Sequence, residues 1–151
     1  MKIIIIAIGK EKDFSGQDNV REYTDRISHY CPCEWKYIAG NSFDEDNAKL
    51  VAAIDVEKEK TGAYIIALDE KGKEYDSRAF ADRIQSCMNE SIRTLMFVIG
   101  GSYGLNDEVR QRANITVALS KLTFPHQLVR LIIAEQIYRA FTIIRGEKYH
   151  H

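Results

Sequence analysis

Hydrophobic positions in this chain come in two patterns that take turns. The first is a short unbroken apolar run. Ile3 to Ile8, Ala63 to Leu68 and Leu95 to Ile99 are of this kind, and Ile115 to Leu119 is broken only by Thr116. Runs of that length without alternation predict strands covered on both faces. Cys33 to Ile38 differs: Trp35 and Tyr37 fall on one side and Glu34 and Lys36 on the other, which predicts a strand with one wetter face. The second pattern is helical. Val20, Tyr23, Ile27 and Tyr30 predict a helix from about Asp18 to His29, ended by Pro32. Another helix is predicted to run to Lys60, with Asp44 or Asp46 as its cap and Gly62 as its stop. Ser77 is placed to cap a third, whose inner face is Phe80, Ala81, Ile84 and Met88. Asn106 caps a short fourth, and the last runs from Pro125 at its first position to Arg145, with Gly146 as its stop.

Strand and helix therefore alternate from end to end. That order predicts an α/β fold, a mostly parallel sheet with helices on both faces, in one domain spanning 1–151. The last helix is unusual. From Leu128 to Ile144 apolar side chains cover most of its circumference, whereas a helix on a monomer's surface exposes one whole face. A second buried side calls for another copy of the chain, so a homodimer through this helix is expected.

Composition changes this picture little. The chain is long enough to bury roughly 70% of its unfolded surface, so its core needs no disulfide or metal. The net charge of −1 gives no global attraction for nucleic acid or membrane. From Lys121 onward five Lys or Arg face two acids, a weakly basic end that suits either a polyanion or a solvated helix face. Cys31, Cys33 and Cys87 are too few for a zinc site, so no metal is expected and the thiols are read as reduced and cytoplasmic. The opening run Ile3 to Ile8 is too short for a signal segment and ends in charge. Arg130, Glu135, Gln136 and Arg139 interrupt the last helix too often for a membrane span.

Two loops draw attention as chemistry. Gly100-Gly101-Ser102-Tyr103-Gly104 ends an apolar strand, and Leu119 to His126 follows the next one. Loops at strand ends are where open α/β sheets bind ligands, and these two are expected to form one pocket. The glycines fit neither phosphate-loop pattern and read equally well as a tight strand-to-helix turn. Leu119 to Phe124 offers apolar side chains and backbone amides that suit a flat heterocycle such as adenine, or else makes an ordinary connection. For His126 a structural role is favoured over catalysis. Glu135 and Arg139 stand in the favourable order for an ion pair on an apolar helix. No Ser-His-Asp triad, Cys-His pair or metal cluster assembles by spacing.

Several blocks, taken in order, are similar to those of a known family. They are Met1-Lys2-Ile3 to Gly9-Lys10, then Leu68-Asp69-Glu70-Lys71-Gly72-Lys73 with Ser77 and Phe80-Ala81, then Phe97 to Leu105. The longest is Leu119 to Arg130, continuing through Glu135 to Ala140 and on to Tyr149-His150. Across nearly its full length the chain resembles the ribosomal large-subunit methyltransferase H family, a branch of the SPOUT (α/β-knot) methyltransferases. The resemblance implies a SPOUT-type fold with a C-terminal trefoil knot and S-adenosylmethionine as methyl donor. The donor would contact Leu68, Gly100 and Leu119, Ser120, Lys121, Leu122, Thr123 and Phe124. It implies methylation of N3 of a pseudouridine in 23S rRNA within the assembled cytoplasmic ribosome, by a homodimer whose partner subunit helps build the site. On that footing His150 is the candidate to remove the N3 proton and Tyr149 to orient the base. Arg139 would stabilise developing negative charge or bind phosphate. The chain departs from the family at its end. Lys148 stands where a proline is usual, and His151 where Lys or Arg is usual, leaving a less rigid tail. Two other readings stay open: a SPOUT enzyme acting on another RNA such as tRNA, and a ribosome-associated α/β protein that has lost methyl transfer.

Overall fold

Strands apolar on both faces need a layer of helices on each side. The computed structural model, which describes all of residues 1–151, has that arrangement. β1 (Lys2–Ile8), β2 (Cys33–Ile38), β3 (Tyr64–Glu74), β4 (Thr94–Ile99) and β5 (Ile115–Ala118) form a five-stranded sheet in the order β2-β1-β4-β3-β5. Every pairing is parallel, with Ile3 opposite both Cys33 and Leu95, and Ile66 opposite both Phe97 and Ile115. Successive side chains of a strand point to opposite faces. The isoleucine run of β1 is thereby shared out: Ile3, Ile5 and Ala7 enter one core, and Ile4, Ile6 and Ile8 the other. α1 (Gln17–Ser28), α3 (Ser77–Asn89) and α5 (His126–Arg145) close the first core with Ile27, Ile84 and Ile137. α2 (Phe43–Thr61) and α4 (Asp107–Arg112) close the second with Leu50, Ile54 and Val109.

The helix ends differ from the sequence expectations in small ways with clear causes. Ser42, not Asp44 or Asp46, caps α2 by accepting from the Glu45 amide at 3.2 Å. Asp46 instead accepts from the Asn41 amide at 2.8 Å. Asp76, not Ser77, caps α3 through the Ala79 amide, at 2.7 Å. The Ser77 hydroxyl donates to Gln136 of α5 at 2.8 Å, so its task is tertiary. Pro125 stands at the boundary of α5 rather than inside it, with an extended ψ of 135°, and the helix begins at His126. Asn106 caps α4, and Gly62 and Gly146 end α2 and α5 in the left-handed region, as expected.

Two departures bear on the site. β3 does not stop at Leu68. The chain loops out at Asp69–Gly72 and returns, so that Leu68 and Lys73 both register with Val117 of β5. β4 follows β3 in sequence but lies inside it, between β1 and β3. The loops leaving β3, β4 and β5 consequently rise from adjacent strands at the same carboxyl edge. Open α/β sheets bind their ligands at that edge.

Candidate functional site

Those three loops enclose a cavity of about 290 Å³. Leu68, Ile99 and Val117, each 8% exposed or less, form its apolar floor. The Gly100–Leu105 loop makes one wall, and Leu119, Ser120, Leu122, Thr123 and Phe124 make the opposite one. Both loops singled out in the sequence thus share one pocket, and Asp69, Glu70 and Lys71 of the β3 loop form a third side. Of the run Leu119 to Phe124, Lys121 is the one residue that does not line the cavity.

The walls are held by contacts that no spacing rule revealed. The Asp69 carboxylate, nearly buried, receives Arg110 of α4 at 2.9 Å and the Lys71 amide at 2.9 Å. Arg110 also binds Asp107 at 2.5 Å and the Leu105 carbonyl. It therefore ties the β3 loop to the glycine loop. The Asp107 bond, more than Asp69, holds its guanidinium firmly charged against partial desolvation. The Thr123 hydroxyl donates to Glu70 at 2.7 Å, which joins the β3 loop to the β5 loop. Two glycines permit the close packing. A methyl at Gly72 would stand 2.6 Å from the Thr116 carbonyl carbon, and one at Gly100 would stand 2.8 Å from the Gly104 carbonyl.

Next to Val129, which lines the cavity, α5 carries a buried cation. Arg130, one of the five cations of the weakly basic end and one of the charges that interrupt the apolar last helix, is 0% exposed. Its guanidinium donates to the carbonyls of Ile8 at 3.0 Å and Lys10 at 2.9 Å, and it lies 5.1 Å above the Tyr37 ring. Gly9, at φ +106°, makes room: a methyl there would meet the Arg130 Nη2 at 2.5 Å. Burial works against the Arg130 charge, and the carbonyls and the ring face compensate it. His126, one turn earlier on α5, reaches the cavity wall. Burial first, then the neighbouring Arg130 charge, pushes its pKa below the ordinary histidine value. A misplaced polar residue on the apolar stripe of α5 was the available signal for Arg130. Asp69 and Glu70 stand in the Leu68–Lys73 block of the family likeness, but nothing in the sequence paired them with Arg110 or Thr123.

The three residues expected to act on the acceptor base, His150 on its proton, Tyr149 on its orientation and Arg139 on its developing charge, form a second cluster away from this cavity. Glu135 accepts from Arg139 at 2.5 Å and from the Tyr149 hydroxyl at 3.1 Å. Arg139 Nη1 stands 3.2 Å from Nδ1 of His150 and its guanidinium lies 4.8 Å over the Tyr149 ring. Tyr149 packs edge-on against Tyr138, with Tyr23 of α1 3.4 Å from its hydroxyl. Burial, then the Tyr23 and Glu135 contacts, raise the Tyr149 pKa, so its hydroxyl is a donor and not a base. Arg139, Tyr149 and His150 are thus brought together, but none lines the cavity. Val129 does line it, and Arg139 stands ten residues further along α5, about 15 Å away along the axis.

A parallel α/β sheet with a cavity at its carboxyl edge, built from glycine-bearing loops, is the arrangement of α/β proteins that bind a small ligand. A family model described as predicted SPOUT methyltransferase matches residues 1–150. A protein of Cytophaga hutchinsonii named ribosomal RNA large subunit methyltransferase H is 43% identical, with 100% of both chains covered. One of the same name from Clostridium botulinum strain Kyoto is 42% identical, with 99% of each covered. A solved structure described as a probable methylase family protein from Haemophilus influenzae shares the fold at a TM-score of 0.55. It is 11% identical, and the match covers 96% of this chain and 66% of that one. The chain belongs to the SPOUT methyltransferase family. No helix in it is long and apolar enough to cross a membrane.

Proposed function

We propose that this chain transfers a methyl group from S-adenosylmethionine to N3 of a pseudouridine in 23S rRNA of the assembled, cytoplasmic ribosome. The observation that carries the reading is the convergence of Leu68, Gly100 and the Leu119–Phe124 loop on one cavity, in a chain alike over its full length to relatives named for large-subunit ribosomal RNA. A net charge of −1 favours an acceptor recognised by shape over one gathered by a broad basic surface.

The cavity fits such a donor. Its floor of Leu68, Ile99 and Val117 suits a flat apolar heterocycle, and Ser120, Thr123 and the loop backbones offer polar partners around it. Leu68, Gly100, Leu119, Ser120, Leu122, Thr123 and Phe124 would hold the donor, leaving the Lys121 side chain for the acceptor. When bound, S-adenosylmethionine supplies a methyl group on a sulfonium, already activated as an electrophile. The chain's own task is then alignment, exclusion of water and removal of one proton. We assign proton removal to His150, orientation of the base to Tyr149, and stabilisation of the anion that develops on the base to Arg139. The contact between Arg139 and His150 Nδ1 sets a condition. While Arg139 donates to Nδ1, the ring proton sits on Nε2 and neither nitrogen is free to accept. Release of that one contact frees the imidazole to take the proton and Arg139 Nη1 to meet the anion, while Nε and Nη2 stay on Glu135.

A single chain keeps this tail from its own cavity, which supports a homodimer in which each tail serves the partner's pocket. Leu128 is 38% exposed, and Leu131 and Ile132 are half-buried beside it on the outer side of α5. A second copy would cover them. The C-terminal trefoil knot belongs to the same reading. It is supported by the path from edge strand β5 back across the carboxyl edge to Arg130, which bonds carbonyls at the end of β1.

The test uses S-adenosylmethionine labelled in its methyl group with ribosomes lacking the modification, and with free ribosomal RNA and tRNA in parallel. The expected result is label in large-subunit RNA only when ribosomes are assembled. Label in tRNA would move the substrate, and no label with any RNA would end the enzymatic reading. Full single-turnover rates in His150→Ala and Tyr149→Phe would remove the tail from the mechanism.

A further inference from the structure

Two of the most exposed large apolar side chains stand at the mouth of this cavity. Tyr103 is 86% exposed and Leu122 70%, and both line it. Single exposed apolar residues are ordinary on a protein surface. These two lie on different loops, Tyr103 on the glycine loop after β4 and Leu122 on the loop after β5, and they flank one opening. Nor are they loose. The Gly104 amide donates to the Gly101 carbonyl at 3.0 Å and these glycines form an antiparallel bridge, so Ser102 and Tyr103 are the two central residues of a closed turn. Gly104, at φ +78°, makes that turn possible. The Leu122 amide donates to Ser120 Oγ at 3.0 Å, which pins the second loop. Lys71 and Lys121 stand on the flanking loops, both exposed and neither within 4 Å of an acidic group.

We infer that Tyr103 and Leu122 are a clamp for the acceptor nucleobase, with Tyr103 as the stacking platform, Leu122 as the apolar jaw, and Lys71 and Lys121 meeting the flanking phosphates. The inference rests on the proposed reading and names where its acceptor sits. Volume supports it. A cavity of about 290 Å³ lies at the lower end for one small ligand, so a donor within it leaves no room for a second ring. The acceptor base must approach from the mouth, where an enzyme acting on a base takes it out of the stack and replaces the lost neighbours with aromatic and apolar side chains. Every base has a π face, so such a platform supplies affinity while selection of the nucleotide is left to other contacts. With the turn's backbone already pinned, a tyrosine has only two side-chain torsions left to fix when a base settles on it.

The test compares Tyr103→Ala, Tyr103→Phe and Leu122→Ala with the unaltered chain. Three readouts are taken: methyl transfer to ribosomes lacking the modification, S-adenosylmethionine affinity by calorimetry, and mass by sedimentation. Tyr103→Ala should lower kcat/KM for ribosomes by roughly five- to a hundredfold, the range for losing one base–aromatic stack. Donor affinity and sedimentation should stay unchanged, and Tyr103→Phe should restore the rate. Leu122 also borders the donor, so Leu122→Ala should lower both transfer and donor affinity, and the separation of the two rests on Tyr103. Full transfer by Tyr103→Ala would overturn the clamp and leave the methyltransferase reading standing. A fall in donor affinity matching the fall in rate would make Tyr103 a donor-site residue, and a change of sedimenting mass would make it a contact between copies. Either result overturns the clamp. No transfer by the unaltered chain would overturn the methyltransferase reading and the clamp with it.

Discussion

Arg130 and His126, one turn apart on α5, show how much one side chain's surroundings decide. On composition each is a polar residue of a mildly basic segment. In the fold Arg130 is fully enclosed and ties α5 to the end of β1, and His126 lies against it. His126 yields a prediction about pH. Its pKa is pushed below its ordinary value of 6.5, by burial first and by Arg130 second. In acid the unfolded chain therefore takes up this proton before the folded one does, and stability falls. Urea midpoints should be level above about pH 6.5 and decline below it, and His126→Gln should flatten the part of that decline nearest neutrality. An unchanged slope in the variant would place the effect elsewhere. The cysteines follow the same logic. Burial pushes the Cys33 thiol up to about 12, so it is a packing residue and not a nucleophile.

Among the elements, the segment between Leu68 and Lys73 carries the most consequence. Its sequence reads as a strand that stops. The structure makes it a strand that loops out and resumes against the same partner, and the excursion forms one side of the cavity. Gly72 is the residue that allows it, because any Cβ there would meet the backbone of Thr116 and Val117. Gly72→Ala should lower stability by about 2 kcal/mol and weaken S-adenosylmethionine binding, since the β3 loop must move off β5. Gly62→Ala is the control. Gly62 has a left-handed φ of 64° with nothing within 4 Å, so the change should cost about 1 kcal/mol and leave binding alone. Thermal melts together with calorimetry separate the two. The helix caps teach a related lesson. Ser42 and Asp76 outcompete the neighbours expected from sequence, because several capping residues stood together and only the entry angle of the chain chose among them.

For the molecule as a whole, the proposed dimer is the feature with most at stake, because it places one chain's tail at another's cavity. Ile132→Asp should yield monomers by sedimentation at micromolar concentration, with methyl transfer abolished and helix content kept. A mixing experiment tests the shared site directly. Chains impaired at the tail by His150→Ala and chains impaired at the donor cavity by Gly72→Ala, assayed at donor concentrations too low to fill the weakened cavity, should each show little transfer. Mixed and allowed to exchange subunits, they should regain transfer. Activity that fails to return in exchanged mixtures would mean that tail and cavity act within one chain.

The sequence by itself determined the strands, the helices, the cover on both faces of the sheet and the two loops at its carboxyl edge. Those depend on local periodicity and on turn and stop residues, which are written along the chain. The likeness of ordered blocks carried the family and the donor-loop residues. Only the tertiary structure decided that β4 inserts between β1 and β3 and that the Asp69–Gly72 loop joins the cavity. It also decided that Asp69 meets Arg110 across forty-one residues, that Arg130 is buried, and that the tail cluster forms away from the cavity it is proposed to serve. The physical reason is the same in each case. A buried ion pair, a bridging hydroxyl or a missing Cβ has its energy set by what lies opposite it, and a residue's neighbours in sequence do not reveal its neighbours in space.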